Sequence, residues 1–207
     1  MQKRLQLNSP LRNTIMKKIT LLALLALPLV VFAQTQSSKD QVASAVLAAT
    51  KSQQGGATVI GYNEAGKLIT LKKGVNELIC LADDPNQQGF SVACYHKDLE
   101  PMMARGRELK EEGKDSGEID NIRAEEVASG KLKMPSSPTT LHVLSGVSAE
   151  YDAENNSISG ATLRYVVYIP FATQESTGLP LQPVVAGGPW LMFPGTYRAH
   201  IMISPVN

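Results

Sequence analysis

Two cysteines flank a turn-forming segment, and their spacing constrains how this part of the chain folds. Cys80 and Cys94 lie at equal distances from Gln87, and the strand-forming segments 77–82 and 90–95 surround the turn sequence ADDPNQQG. Residues placed symmetrically in an antiparallel hairpin face each other, and a non-hydrogen-bonded pair brings their Cα atoms within disulfide range. The sequence therefore predicts a hairpin closed by a Cys80–Cys94 disulfide, with two buried free thiols as the alternative.

The first 33 residues have the three-part pattern of a secretory signal peptide. Two lysines follow Met16, a run from 19 to 32 is almost entirely apolar, and Ala33 ends a small-residue pattern that precedes cleavage. A membrane-spanning helix needs about 20 apolar residues, and this run is shorter. We therefore expect residues 1–33 to be a removable signal peptide, with translation starting at Met1 or, as we favour, at Met16.

Export sets the redox environment and the charge of the mature chain. Disulfides form and persist in the periplasm and outside the cell, which favours pairing of the two cysteines. Without residues 1–33, the chain has 15 Lys and Arg against 19 Asp and Glu, a net charge of −4. Nucleic-acid binding needs a concentrated basic surface. We expect a periplasmic or extracellular protein that has no nucleic-acid partner and no membrane span once the signal is removed.

The hydrophobic pattern of the remaining chain predicts one α+β domain. Residues 34–56 are expected to form a tail and a short helix, and residues 57–207 a single domain. Strand-like segments and turns over 57–95 predict an antiparallel meander, and two amphipathic helices follow within 98–133. The expected fold is an antiparallel sheet with a cysteine-bridged hairpin and a helical pair inserted between two groups of strands.

The sequence lacks the short motifs that mark common active sites. None of His96, His142 and His200 lies within four residues of another, so the chain has no histidine metal clip, and it has no G-x-S-x-G nucleophile elbow. The alternating oxygen side chains of DDPNQQG resemble an incomplete calcium loop and are interpreted as a turn. We assign no catalytic residue, no metal ligand and no cofactor.

The segment GGPWLMFPGTYRAHIMI, residues 187–203, carries the only tryptophan and one of the three histidines. Its prolines and glycines predict a turn between two short strands. If they are buried, the indole N–H of Trp190 and the imidazole of His200 both need hydrogen-bond partners. Such partners could hold the histidine within the core, or they could build a small pocket. We take Trp190, His200 and His142 as the candidate ligand-binding residues.

Two stretches of the sequence resemble a group of uncharacterised exported bacterial proteins. These are the tail GGPWLMFPGT..AHIM and the segment LKKGVNELICL, which is followed by a second cysteine. The matching positions are Leu71, Lys72 or Lys73, Gly74, Asn76, Cys80, Cys94 and 187–202. The chain departs from the group at Tyr197-Arg198, where a proline–tyrosine pair is expected. The resemblance implies export and paired cysteines, and it implies no reaction.

Three functions from different classes are compatible with these features. The first is a non-enzymatic exported domain that binds a small ligand or an envelope partner at Trp190, His200 and His142. The second is a hydrolase or metal-dependent enzyme that combines His142 and His200 with a carboxylate such as Asp152. It requires the two imidazoles to lie close together. The third is a structural or surface-interaction protein that uses the helical pair as its contact. We favour the first because no nucleophile, metal or phosphate motif is present.

Overall fold

The computed structural model describes residues 36–206, and the predicted signal peptide lies outside this range. The helices are α1 (Ser38–Ala45), α2 (Lys51–Gln54), α3 (Glu100–Glu111), α4 (Ser116–Ala128) and α5 (Gln174–Thr177). The strands are β1 (Thr58–Tyr62), β2 (Leu68–Lys72), β3 (Leu78–Leu81), β4 (Phe90–His96), β5 (Thr139–Gly146), β6 (Glu150–Asp152), β7 (Ser157–Ser159), β8 (Thr162–Tyr168), β9 (Trp190–Met192) and β10 (His200–Ile203).

Eight of the strands form one mostly antiparallel sheet. Their order is β2-β1-β3-β4-β5-β8-β10-β9, and β6 and β7 form a separate small hairpin. Along the chain, α3 and α4 come between β4 and β5, so they separate two groups of strands. The predicted α+β class, with its inserted helical pair, is confirmed.

The disulfide between Cys80 and Cys94 is present and lies at the centre of the sheet. The two residues are direct cross-strand partners on β3 and β4, with a Cα–Cα distance of 4.0 Å and an S–S distance of 2.08 Å. Both side chains are fully buried. The symmetry of the two cysteines about the turn therefore predicted their pairing correctly.

The predicted antiparallel meander of the first three strands is wrong in one connection. Strand β2 lies at the sheet edge, and the chain passes back across β1 so that β3 pairs with β1 in parallel. Gly74 makes this close crossing, because a Cβ there would lie 2.2 Å from the Thr58 nitrogen and 2.4 Å from the Gly56 carbonyl oxygen. The Val75 N–H then donates to that same carbonyl at 2.7 Å. The crossing depends on backbone contact, which hydrophobic periodicity does not record.

The two faces of the sheet carry separate groups of buried side chains. We call the face with Val59, Cys80 and Cys94 the disulfide face. It packs against α1 and the 3-10 turn Val46–Ala48. We call the opposite face, with Tyr95, the helical face. The 3-10 turn Lys97–Leu99 packs there through Leu99, and α3 packs there through Met102. Because successive strand residues point to opposite faces, Cys94 and Tyr95 belong to different cores.

Side chains cap the first turns of α1, α4 and α5, whereas α2 and α3 begin without a side-chain cap. Asp115 caps α4 by accepting the Glu118 N–H at 2.9 Å, and the Glu118 carboxylate accepts the Asp115 N–H in return. Pro101 sits in the first turn of α3, where its missing N–H costs no intrahelical bond. Within residues 36–206, no helix has both the length and the apolar character needed to cross a bilayer.

Candidate functional site

The strand register places His142 and His200 on opposite faces of the sheet. His142 is the cross-strand partner of Tyr165, and His200 is the partner of Tyr168. Cross-strand partners share a face, whereas residues three apart on one strand do not. His142 therefore points to the disulfide face, beside the Ala48 carbonyl, and His200 points to the helical face.

The alternative enzymatic site needs both imidazoles together, and the structure does not bring them together. The proposed carboxylate, Asp152, belongs to the small β6–β7 hairpin rather than to the main sheet. Its oxygens accept the backbone N–H groups of Glu154 and Asn155 at 2.9 and 3.1 Å, which is a turn-stabilising role. Among the described residues, no group of three or more His, Cys, Asp or Glu side chains could hold a metal ion.

His200 is packed inside the fold. It is 6% exposed, and its ring lies 5.3 Å from the ring of Tyr168 and 5.7 Å from that of Phe193, measured between centroids. Its Nδ1 lies 2.7 Å from the carbonyl oxygen of Arg198. Burial, and after it the nearby Arg198 charge, lowers the pKa of His200. The imidazole is thus a neutral, hydrogen-bonded core group at physiological pH.

Trp190 lies at the far edge of the sheet, on β9. It is partly buried and is the cross-strand partner of Met202. Met202 and His200 are two residues apart on β10 and share a face, so Trp190 lies on the helical face with His200. His142 is on the other face. The three predicted ligand-binding residues therefore do not converge on one pocket.

The conspicuous C-terminal segment anchors α4 to the sheet. Tyr197 donates its hydroxyl to the Asp120 carboxylate at 2.5 Å, and Arg198 forms an ion pair with Asp120 at 2.8 Å. The Arg198 guanidinium also lies 3.9 Å above the centre of the Phe193 ring, a cation–π contact. These contacts give the segment a structural role, and they need only its tyrosine, arginine and phenylalanine.

A cleft of about 640 Å³ lies at the opposite end of the sheet, between the β1–β2 hairpin, the β3–β4 loop and one face of α3. We call it the α3 cleft. Its lining residues are Tyr62, Gly66, Lys67, Leu68, Leu81, Ala82, Asp83, Asp84, Asn86, Gln87, Ser91, Ala93, Ala104, Arg107, Glu108, Lys110 and Glu111. Leu81 and Ala93 are cross-strand partners and supply apolar surface from the sheet, while Ala104 supplies it from α3.

Asp84 ties the β3–β4 loop to α3. Its carboxylate accepts the Lys110 ammonium at 2.8 Å and the Asn86 N–H at 3.0 Å. Burial acts to raise the pKa of Asp84, but the hydrogen bonds from Lys110 and Asn86 outweigh it and lower the pKa. Asp84 is therefore a charged, fully engaged carboxylate that fixes one wall of the cleft.

The neighbouring Asp83 is held in a different electrostatic state. One oxygen accepts the Ser91 N–H at 2.8 Å, and burial, reinforced by the Asp84 charge, raises the pKa of Asp83. Tyr62 lies across from this pair. Burial and the nearby Asp84 carboxylate raise the pKa of Tyr62 to about 12. The cleft thus brings together Asp83 and Asp84, whose pKa values shift in opposite directions, and the un-ionised phenol of Tyr62.

A partly buried hydrogen-bond network fixes the N-terminal half of α3 beside the cleft. Tyr95 donates to Glu100 at 2.5 Å, and Arg107 donates to the Tyr95 oxygen at 2.9 Å and to Glu100 at 2.6 Å. Tyr95 is fully buried, and burial, together with its bond to Glu100, raises its pKa. Arg107 lines the cleft as well, so this network holds its guanidinium in place.

We expect Asp83→Asn to stabilise the protein at about pH 7 and to have a smaller effect at about pH 4. The folded state raises the pKa of Asp83, so ionising it costs folding free energy. That cost is absent when the pH lies below the pKa of Asp83 in the unfolded chain. It grows as the pH rises through the pKa of Asp83 in the folded protein. The amide oxygen can still accept the Ser91 N–H. Urea unfolding of both proteins at the two pH values measures the difference.

Asp152→Asn is the matched control for this measurement. Hydrogen bonds from the Asn155 side chain and backbone lower the pKa of Asp152, so its substitution should not stabilise the protein at neutral pH. If Asp83→Asn gave the same gain at both pH values, or a loss at neutral pH, the electrostatic description of the cleft would be incorrect.

A second cleft, of about 620 Å³, lies at the end of α4 beside Phe171. Its lining is mostly apolar, and among the described residues that line it only Lys133 is charged. The α3 cleft combines apolar surface with convergent polar groups of shifted pKa, which are the features of ligand sites. It is therefore the candidate functional site. No protein-family model matches the chain, and no curated protein or solved structure proved similar to it.

Proposed function

We propose that the protein is an exported, non-enzymatic domain that binds a small ligand or an envelope partner in the α3 cleft. The observation that carries the proposal is the convergence of Asp83, Asp84 and Tyr62 on a cleft of about 640 Å³ with apolar surface. Ligand sites typically have volumes of roughly 300–1,000 Å³ and a few placed polar groups. The ligand would carry an apolar body and a hydrogen-bond donor for Asp83.

Binding is favoured over catalysis by how the cleft groups are engaged. The lining residues include no histidine or cysteine. Asp84 is engaged by Lys110 and the Asn86 N–H, and Asp83 accepts a backbone N–H. Groups held in this way define a shape and a charge pattern, whereas a nucleophile with an adjacent base would be needed for the chemistry of common hydrolases.

Export is supported by two independent features. A signal-like segment precedes the described domain in the sequence. The fully buried Cys80–Cys94 disulfide belongs to proteins that mature in oxidising compartments. We place the protein in the periplasm or outside the cell. Detection of the uncleaved chain with both thiols reduced, in cells of the source organism, would contradict this.

We expect Ala104→Phe to weaken ligand binding strongly while leaving the fold intact. Ala104 lines the cleft from α3, and a benzyl side chain there would occupy the space available to a ligand. Compounds from a fragment library that bind the wild-type protein in ligand-observed NMR should lose affinity by roughly tenfold or more, because a steric clash excludes them.

Ala124→Phe is the control, since Ala124 is exposed on α4 and lines neither cleft. It should leave fragment binding unchanged. Circular dichroism of both variants checks the fold. Fragments that bind the two variants equally well would show that the α3 cleft is not the site.

A further inference from the structure

The outer edge of β2 adjoins the α3 cleft and has no strand beside it within residues 36–206. Among the described strands, β2 stands first in the order of the eight-stranded sheet and pairs with β1 alone. Leu68, at the start of β2, also lines the cleft. The cleft and a sheet edge therefore form one continuous surface.

The hydrogen-bond pattern shows which backbone groups of β2 face outward. The Asn63 N–H donates to the Lys67 carbonyl at 3.0 Å, which closes the β1–β2 hairpin. In an antiparallel ladder, bonded and non-bonded pairs alternate. Ile69 therefore bonds inward to β1, whereas Leu68 and Thr70 direct their N–H and C=O groups away from the sheet.

The side chains along this edge are apolar in the middle and basic at the ends. Leu68 and Ile69 are 39% and 42% exposed. Lys67 precedes them, and Lys72 and Lys73 follow. Soluble proteins usually block a sheet edge with charges, prolines or bulges, because an open edge accepts another strand. Here positions 68–70 are open, the charges lie at the two ends, and the register irregularity in β2 lies beyond Thr70, at Leu71.

We propose that an extended segment of another protein, apolar or β-branched in its centre and acidic at its ends, pairs with β2 as an additional strand. The proposal rests on the proposed function, because one side chain of the added strand occupies the α3 cleft. Main-chain hydrogen bonds to Leu68 and Thr70 would provide affinity, and the cleft would provide specificity. The acidic ends would face the lysines that flank β2.

The sheet geometry determines which side chain of the added strand faces the cleft. Tyr62 and Leu68 are cross-strand partners and share a face, and both line the cleft. A residue that pairs with Leu68 from the other side shares this face too, since cross-strand partners point the same way. Its side chain would extend over Leu68 toward Tyr62, while its two neighbours would point to the disulfide face.

A second copy of this chain is a poor occupant of the edge. In a two-fold antiparallel pairing centred on Thr70, Lys67 of one copy would face Lys73 of the other, and this would occur twice. Like charges directly opposite each other destabilise a strand pair. Acidic residues at the same positions would form favourable pairs, which selects a partner with the opposite charge pattern.

A synthetic peptide tests this proposal directly. It has two glutamates at each end and alternating valine and threonine between them, and a matched peptide has lysines in place of the glutamates. Binding of the glutamate peptide to the ¹⁵N-labelled protein should shift the amide signals of Leu68 and Thr70 and slow their hydrogen exchange. The lysine peptide should bind roughly tenfold more weakly at low salt. N-methylation of alternate amides on the pairing edge should abolish binding.

Reversing the charges of the lysines that flank β2 distinguishes electrostatic pairing from non-specific binding. The Lys67→Glu/Lys73→Glu variant should prefer the lysine peptide, whereas Lys133→Glu, an exposed site outside β2, should keep the wild-type preference. No protection of Leu68 and Thr70, or equal binding of both peptides, would overturn strand addition. Self-association of the protein through the same two amides would also overturn it, in favour of a second copy.

The two proposals fail in distinguishable ways. If fragments bind in the cleft and are excluded by Ala104→Phe, but the peptide does not protect Leu68 and Thr70, strand addition is refuted and the cleft remains a small-ligand site. If the peptide protects these amides while Ala104→Phe changes neither fragment nor peptide binding, the cleft assignment is refuted.

Discussion

Loss of the Cys80–Cys94 disulfide is expected to lower the free energy of unfolding by about 3 kcal/mol. The bond closes a loop with a sequence separation of 14 residues, and closing a loop of this length removes that much chain entropy from the unfolded state. For a domain of this size, the midpoint of thermal unfolding should fall by roughly 6–12 °C. Urea and thermal unfolding of the Cys80→Ala/Cys94→Ala variant measure both quantities.

The reduced wild-type protein is the control for this substitution. Both sulfur atoms are fully buried, so alanine substitution also removes packing contacts, whereas reduction leaves both sulfurs in place. We expect the reduced protein to lose most of the same stability. Equal unfolding free energies for the oxidised and reduced proteins would show that the bond does not stabilise the fold.

Gly74→Ala should destabilise the protein by about 4 kcal/mol or more, which is the range of severe steric substitutions. The added Cβ would lie 2.2 Å from the Thr58 nitrogen and 2.4 Å from both the Ala57 carbonyl carbon and the Gly56 carbonyl oxygen. All three are backbone atoms, so relief requires moving β1 away from the crossing segment. Urea unfolding, together with soluble yield, measures the effect.

Gly55→Ala provides a matched comparison in the same turn region. Gly55 has φ −62° and ψ −33°, and a Cβ there would meet nothing within 4 Å. This substitution should leave stability unchanged or raise it by roughly 0.4–1 kcal/mol, because it restricts the unfolded chain. If the two variants were equally stable, the crossing between β2 and β3 would not require the close backbone approach at Gly74.

Local sequence patterns predicted the parts of the fold that depend on local interactions. The cysteine hairpin followed from symmetry about Gln87, and the helical pair from apolar spacing. The strand order β2-β1-β3 did not follow, because hydrophobic periodicity is the same in a meander and in a crossing. Gly74 permits the crossing. The sequence shows this glycine but does not show which backbone atoms it approaches in the fold.

The candidate site was not predictable in the same way. The α3 cleft joins residues from the segments 62–68, 81–93 and 104–111, and each segment alone has an ordinary interpretation. The pair Asp83-Asp84 follows a strand, and its local sequence indicates only a turn. Helical spacing offered a usable signal, since positions 104, 107, 108 and 111 share one face of α3.

The histidine prediction shows a second limit of sequence patterns. Whether His142 and His200 share a face depends on the register of β5, β8 and β10 rather than on either strand alone. A shift of one residue in either pairing would have brought the two side chains to the same face. In the C-terminal segment, Tyr197 and Arg198 attach α4 to the sheet, and Trp190 takes no part in these contacts.

A chemical-shift map of fragment hits on the ¹⁵N-labelled wild-type protein tests most directly whether the α3 cleft binds ligands. We expect shifts at the amides of Asp83, Ser91 and Ala104, with Trp190 unaffected, since β9 lies at the opposite edge of the sheet from β2. Shifts confined to the Trp190–His200 hairpin, or hits with no common location, would contradict it.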